Sequence, residues 1–223
     1  MGYQRSHQKI QVKIPFDKLK DLLANSKFPQ VSTSGLKASS VLVPFYFTNE
    51  NKPGIILTKR SEHLKNHPGQ ISFPGGKFDE SDKTLLETAL REWEEETGET
   101  RETLEIIGSY HSLDTGTGYH ITPFISIYKG NFNFNPNKNE VDFLIHLELE
   151  KLLYSPFYTI QWDKNPSGRF HIYYFDLPEG LLWGATCHIL LQFLKEFCEF
   201  NRKPQLVKSN LSKAPFFSPP KKT

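Results

Sequence analysis

Cysteine is scarce in this chain. Cys187 and Cys198 are the two in 223 residues, and they form no CxxC pair. A disulfide framework is not expected, and two reduced thiols on one expected helix suit a cytoplasmic protein. No apolar run approaches the length of a membrane span, and the first residues lack the apolar core of a secretory signal, so no membrane is expected as a partner. A P-loop is excluded, because Gly75-Gly76-Lys77 is followed by Phe78 where that motif needs Ser or Thr. A calcium loop opening at Asp79 fails at its last ligand position, which is Leu90 where a bidentate glutamate is required. No internal repeat is visible, and nothing resembles a groove-reading motif, so no specific nucleic acid is expected either. Acids are absent from residues 203–223, which hold five lysines and four prolines. That segment reads as a solvated, disordered basic tail.

At 223 residues, 37% of them hydrophobic and 13% aromatic, the chain can bury one full core. The net charge of +2 divides into a mildly acidic body and the basic tail. The expected organisation is an N-terminal extension with a short helix over residues 1–29, one domain over 30–200, and the tail over 201–223. The extension's helix is read over 15–26, with Phe16, Leu19, Leu22 and Leu23 inward. Strands are expected over 39–48, 55–60, 104–113, 119–130 and 169–177, and a closing amphipathic helix over 183–197.

The chemistry is expected in residues 75–99. Leu85, Leu86, Ala89, Leu90 and Trp93 recur with helical period, with Ser81 or Asp82 able to cap the start and Gly98 suited to the stop. On that helix Glu92, Glu95 and Glu96 stand at i, i+3 and i+4, so they are neighbours beside the apolar stripe. Like charges at this spacing repel, and they make most sense with a shared cation or with a basic partner such as Arg91. Hard oxygen donors of this kind suit Mg2+ or Mn2+. The diglycine Gly75-Gly76 after Pro74 reads as a tight loop entering the helix, where backbone can approach a phosphate or offer a carbonyl to a metal.

REWEEETG, residues 91–98, resembles the signature of the Nudix hydrolases in its arginine, glutamates and glycine. The chain departs from the family pattern at Lys83, where a glutamate is usual, at Glu99, where an apolar residue closes the signature, and in a glycine-to-arginine spacing longer by one residue. The stretch LTKRSEHLKNHPGQISFPGG, residues 57–76, resembles the additional motif of the coenzyme A pyrophosphatase branch, roughly LLTxRSxxxRxxxGxxxFPGG. Lys65 stands where that motif has arginine, and an ammonium cannot make the planar two-pronged contact of a guanidinium. GYHITPF and the WGAT that opens the last helix are also similar to this branch.

The resemblance implies an α/β Nudix fold, an α/β/α sandwich with a mixed central β-sheet. It implies metal-dependent hydrolysis of coenzyme A or its derivatives to 3′,5′-ADP and 4′-phosphopantetheine or its acyl form. Glu92, Glu95, Glu96 and the Gly76 carbonyl would hold Mg2+ or Mn2+, and Arg91 would orient the glutamates. Arg60, Lys65, Gly75 and Gly76 would meet the substrate, a small-molecule nucleotide. Glu140, followed by Val141, is a candidate metal ligand or base, since some Nudix enzymes use a glutamate from a loop beyond the helix. His63, His67 and His120 are weaker candidates, and Tyr158 or Trp162 could stack on an adenine. A homodimer is compatible with this reading, although the sequence leaves the oligomeric state open. The alternatives are another diphosphate substrate (ADP-ribose, NADH or a nucleoside triphosphate) and a Nudix-fold binding module without catalysis.

Overall fold

The segment KASSVLVPFYF buries nearly all of its length on both sides, as a strand in the middle of a two-sided sheet must. It is β1 (Lys37–Phe47) in the computed structural model, which describes residues 14, 16–24, 35–164 and 168–207. Helix α1 (Phe16–Ala24) precedes it, and β2 (Pro53–Arg60), β3 (Ile71–Ser72), β4 (Gly75–Lys77) and α2 (Leu85–Thr97) follow. Next come β5 (Leu104–Ser109), β6 (Leu113–Asp114), β7 (Tyr119–Tyr128), β8 (Val141–Glu148) and α3 (Leu149–Tyr154). The chain continues through β9 (Phe157–Lys164), β10 (Gly168–Leu177), β11 (Gly180–Trp183), α4 (Gly184–Phe197) and β12 (Gln205–Val207).

The main sheet runs β3-β2-β1-β7-β5, with β4 added to β1, β6 to β7 and β8 to β2. It is mixed, because β1 and β7 pair in parallel while β1–β2, β2–β8 and β5–β7 are antiparallel. Alternation along the strands gives it two apolar faces. Leu42, Ile56 and Phe124 point to one side, where Leu85, Ala89 and Trp93 of α2 cover them. Val43, Phe45, Ile55, Leu57 and Ile125 point to the other, under Leu19 and Leu23 of α1, Leu149 and Leu152 of α3, and Leu190 and Phe193 of α4. The rings of Phe45 and Phe193 lie 4.8 Å apart. Helices on both faces make the expected α/β/α sandwich.

Four features differ from the sequence reading. The expected tight loop at Gly75-Gly76 is strand β4, whose residues pair with Ser39, Ser40 and Val41. Gly75, at φ +155°, lies so close to β1 that a Cβ there would overlap the Ser40 carbonyl, so the glycine serves close strand approach. The N-cap of α2 is Thr84, whose hydroxyl accepts from the Glu87 N–H, and not Ser81 or Asp82. Leu22 is exposed instead of inward. Finally, β11-β10-β9-β12 form a second, four-stranded sheet. Three residues expected in the tail thus make β12, and residues 208–223 lie outside the described ones. No helix among the described residues is long and apolar enough to cross a membrane.

Candidate active site

Helix α2 sets three carboxylates at three depths. Its apolar stripe fixes the rotation, with Leu85, Ala89 and Trp93 buried against the sheet. Gly98, in the left-handed region at φ 73°, ends it by donating to the Glu94 carbonyl. In that orientation the Glu95 side chain is 54% exposed and the Glu92 side chain 15% exposed, whereas Glu96 keeps only 3%. Glu96 Oε2 accepts from the Gly75 N–H at 3.2 Å, and its Oε1 stands 4.0 Å from Arg60 Nη1. Burial, with the neighbouring Glu92 charge second, pushes the Glu96 carboxyl up to about 8. Burial also raises Glu92, against the lowering effect of Arg91.

Arg91 binds both the helix's acids and the loop before it. Its Nε and Nη2 reach Asp82 Oδ1 and Oδ2 at 3.1 Å each, a two-pronged pair. Its Nη1 donates to Glu92 at 3.0 Å and to Glu95 at 3.1 Å, and Nη2 also donates to the Lys77 carbonyl at 3.3 Å. Thr88 adds a bond to Asp82 Oδ2 at 2.9 Å. Burial alone would raise the Asp82 carboxyl, yet Arg91, the Asp79 N–H and Thr88 together hold it below the usual range. Sequence reading treated Asp82 as a helix cap, so this anchoring role was missed. An aspartate nine residues before an arginine, across a helix start, gives no periodic signal.

The upstream segment folds over the same carboxylates. Arg60 ends β2, and its N–H donates to Gln70 O at 2.9 Å. Ser61 donates its N–H to the Glu140 carbonyl at 2.8 Å, which brings Glu140 close enough for its charge to act on both Glu92 and Glu96. Gly76 packs so closely that a Cβ would overlap the Glu92 carboxylate, and its carbonyl accepts from Ser39 Oγ at 2.6 Å. Arg60, Gly75, Gly76, Arg91, Glu92, Glu95, Glu96 and Glu140 are thus gathered in one place. Lys65, like His63, is exposed in the loop over 61–70. His120 is held by Asp114, Nδ1 to Oδ1 at 2.6 Å.

A cavity of about 410 Å³ lies between the start of β7 and the second sheet, with His67 and Gln70 of that loop in its wall. Its walls include His67, Gln70, Tyr119, Tyr173 and Trp183, with the exposed His171 and His188. Tyr158, expected as a stacking residue, instead stacks on Tyr174 within the second sheet at 5.1 Å. The side chain of Trp162 lies outside the described ones. Trp183, which opens the expected closing helix, is instead the last residue of β11. Its place at the cavity, like that of Tyr173 in β10, depends on the pairing of β10 with β11 and gives no local signal.

The NUDIX domain profile matches residues 37–154, from β1 through α3. The chain belongs to the Nudix family. A protein of Yersinia enterocolitica, described as the uncharacterized Nudix hydrolase NudL, is 33% identical over 184 residues, covering 80% of this chain and 92% of that one. A NudL of Yersinia pestis is 35% identical over 156 residues, 69% of this chain and 76% of that one. Among solved structures, the Nudix hydrolase RenU of M. smegmatis superposes with a TM-score of 0.45 at 18% identity, over 53% of this chain and 74% of that one.

As a Nudix hydrolase, the protein acts on a nucleoside diphosphate derivative, a small-molecule nucleotide. Nudix hydrolases generally use divalent metal ions. Among the described residues no three His, Cys, Asp or Glu side chains converge as a finished cation cage. The donor set nonetheless fits a hard cation. Glu96 is a nearly fully buried carboxylate beside a second carboxylate, with one backbone N–H and a distant guanidinium as its compensation. Two adjacent acids in such a place favour a shared positive charge.

Proposed function

We propose that this Nudix hydrolase cleaves the diphosphate of coenzyme A or its derivatives, releasing 3′,5′-ADP and 4′-phosphopantetheine or its acyl form. The observation that carries the reading is the position of the segment that resembles the coenzyme A pyrophosphatase motif. Its Arg60 and Gly75 both address the buried Glu96. Its Ser61 fastens the loop that carries Glu140.

In this reading Glu92, Glu95, Glu96 and the Gly76 carbonyl hold Mg2+ or Mn2+. When bound, the ion supplies neutralising charge for the diphosphate and makes water more acidic. Arg60 contributes a fixed positive charge beside the carboxylates, where a diphosphate oxygen can take up its free donors. Arg91 keeps Glu92 and Glu95 in place by pinning them to Asp82. Water attacks one phosphorus and the bond to the bridging oxygen breaks, the second phosphate leaving. Glu140, exposed and near Glu92 and Glu96, is the group placed to accept the water proton. A cytoplasmic location, with small nucleotides as the only partners, belongs to the same proposal.

The test is a Mg2+-dependent assay of coenzyme A cleavage with products separated by chromatography, comparing wild type with Glu96→Gln. The expected outcome is release of 3′,5′-ADP and a loss of about 10³-fold in rate in the variant, which corresponds to about 4 kcal/mol of transition-state stabilisation. Intact coenzyme A with both Mg2+ and Mn2+ would overturn the substrate and redirect the search to other diphosphates.

A further inference from the structure

Strand register places two lysines on the cavity side of the main sheet. In the parallel β1–β7 pair Lys37 lies opposite Tyr119, and Ser39 opposite Ile121. In the antiparallel β1–β4 pair Ser39 lies opposite Lys77. Tyr119 and Ile121 both line the cavity. The side chains follow the register: Lys37 Nζ stands 5.9 Å from the centre of the Tyr119 ring, and Lys77 Nζ stands 5.8 Å from it. Two ammonium groups therefore share one aromatic ring at the cavity wall.

Two cations that draw on one ring gain less than an ion pair with a carboxylate would give either of them. Lys20 and Lys129 pair with Glu105, and Lys151 with Glu148. Neither Lys37 nor Lys77 forms an ion pair among the described residues. Asp114, the acid in the cavity wall, is engaged by His120. Lys77 also directly follows Gly76, whose backbone touches the Glu92 carboxylate. Lys77 thus links the strand that meets the Glu92 carboxylate to Tyr119 in the cavity wall.

We propose that Lys37 and Lys77 bind a phosphomonoester carried on the ribose of the nucleotide, so that the site selects nucleosides phosphorylated at a second position. This rests on the reading that a nucleotide reaches from the carboxylates to the cavity. The aromatic walls take the base, and the carboxylates meet the phosphate chain. The ribose lies between them, at the lysines. A compact dianion matches two flexible point charges that need no fixed planar geometry.

Calorimetric titration of the metal-free protein with adenosine 3′,5′-bisphosphate and with adenosine 5′-monophosphate tests this without turnover. Wild type is expected to bind the bisphosphate about tenfold more tightly or better, with the preference shrinking at high salt. In the Lys37→Gln, Lys77→Gln double variant the two ligands should bind within about twofold of each other, while 5′-monophosphate affinity stays at the wild-type level. A Lys83→Gln control should keep the preference. Equal binding of both nucleotides by wild type, a preference that survives in the double variant, or equal loss of both ligands would each overturn the proposal. Failure to cleave coenzyme A would sink only the substrate reading, because the binding ratio is measured without catalysis.

Discussion

The two faces of the central sheet solve different problems. On the α2 face a small cluster of Leu42, Ile56, Phe124 and Trp93 carries a helix whose outer side is crowded with acids, one of them buried. On the α4 face a much larger apolar cluster joins three helices and part of the second sheet. Apolar burial is therefore concentrated on the face away from the proposed site, while the α2 side holds a buried, poorly compensated carboxyl at Glu96. A protein that buries an ionisable group beside its proposed site needs a second face with apolar burial to spare.

That contrast can be broken at three points. The largest effect is expected from Phe193→Ala, which removes a ring packed between Phe45, Tyr110 and Phe197. Loss of about 3–5 kcal/mol in urea unfolding is expected, with the rate per folded molecule unchanged. A variant that stays stable but inactive would show that the two faces are not separate.

Glu96→Gln sharpens the comparison from the other side. The folded protein holds a proton on Glu96 up to about pH 8, whereas the unfolded chain releases it near the ordinary glutamate value. Stability of the metal-free wild type therefore falls as pH rises through that window, because the folded state binds more protons there, and it levels off above it. The amide carries no such charge. The variant should be more stable than wild type above pH 8, by about 1–3 kcal/mol, with the gap closing toward acid in melting curves recorded across pH. A variant less stable at every pH would mean that Arg60 and the Gly75 N–H compensate the charge fully.

The smallest effect belongs to the helix start. Thr84→Ala removes the cap on the Glu87 N–H, with an expected cost of about 1 kcal/mol, and the rate should fall only modestly because Arg91 still ties the helix to Asp82. If activity collapses while stability barely changes, the cap and not the arginine sets the carboxylate positions.

What could be read from the sequence follows the same division. The α2 helix was legible because its apolar period, its acids and Gly98 all repeat at local spacing. Arg60 and Glu140 were legible only through the resemblance, since nothing in residues 61–139 says that a loop would return to Ser61. The second sheet was not foreseen: β9 and β12 pair across an entire helix, a relation no local pattern encodes. Lys37, Lys77 and Tyr119 stayed hidden for a related reason. They come from three separate strands, and only the register of β1 with β4 and β7 makes them neighbours.

The parallel seam between β1 and β7 has a consequence for how the molecule assembles. It joins residues such as Ser40 and Thr122, 82 positions apart, whereas the hairpin of β1 with β2 and the pairing of β5 with β7 close over short loops. Closing a long loop costs chain entropy before any contact repays it. The two antiparallel halves are thus expected to form early, and the seam late. Until it closes, helix α2 can exist with its glutamates in order while the cavity wall does not. Two unpaired strand edges are meanwhile open to other chains. For this seam the vulnerable interval in synthesis runs from the emergence of β1 to that of β7, and for the β2–β8 pair, which joins Gly54 to Glu148, it runs on to β8.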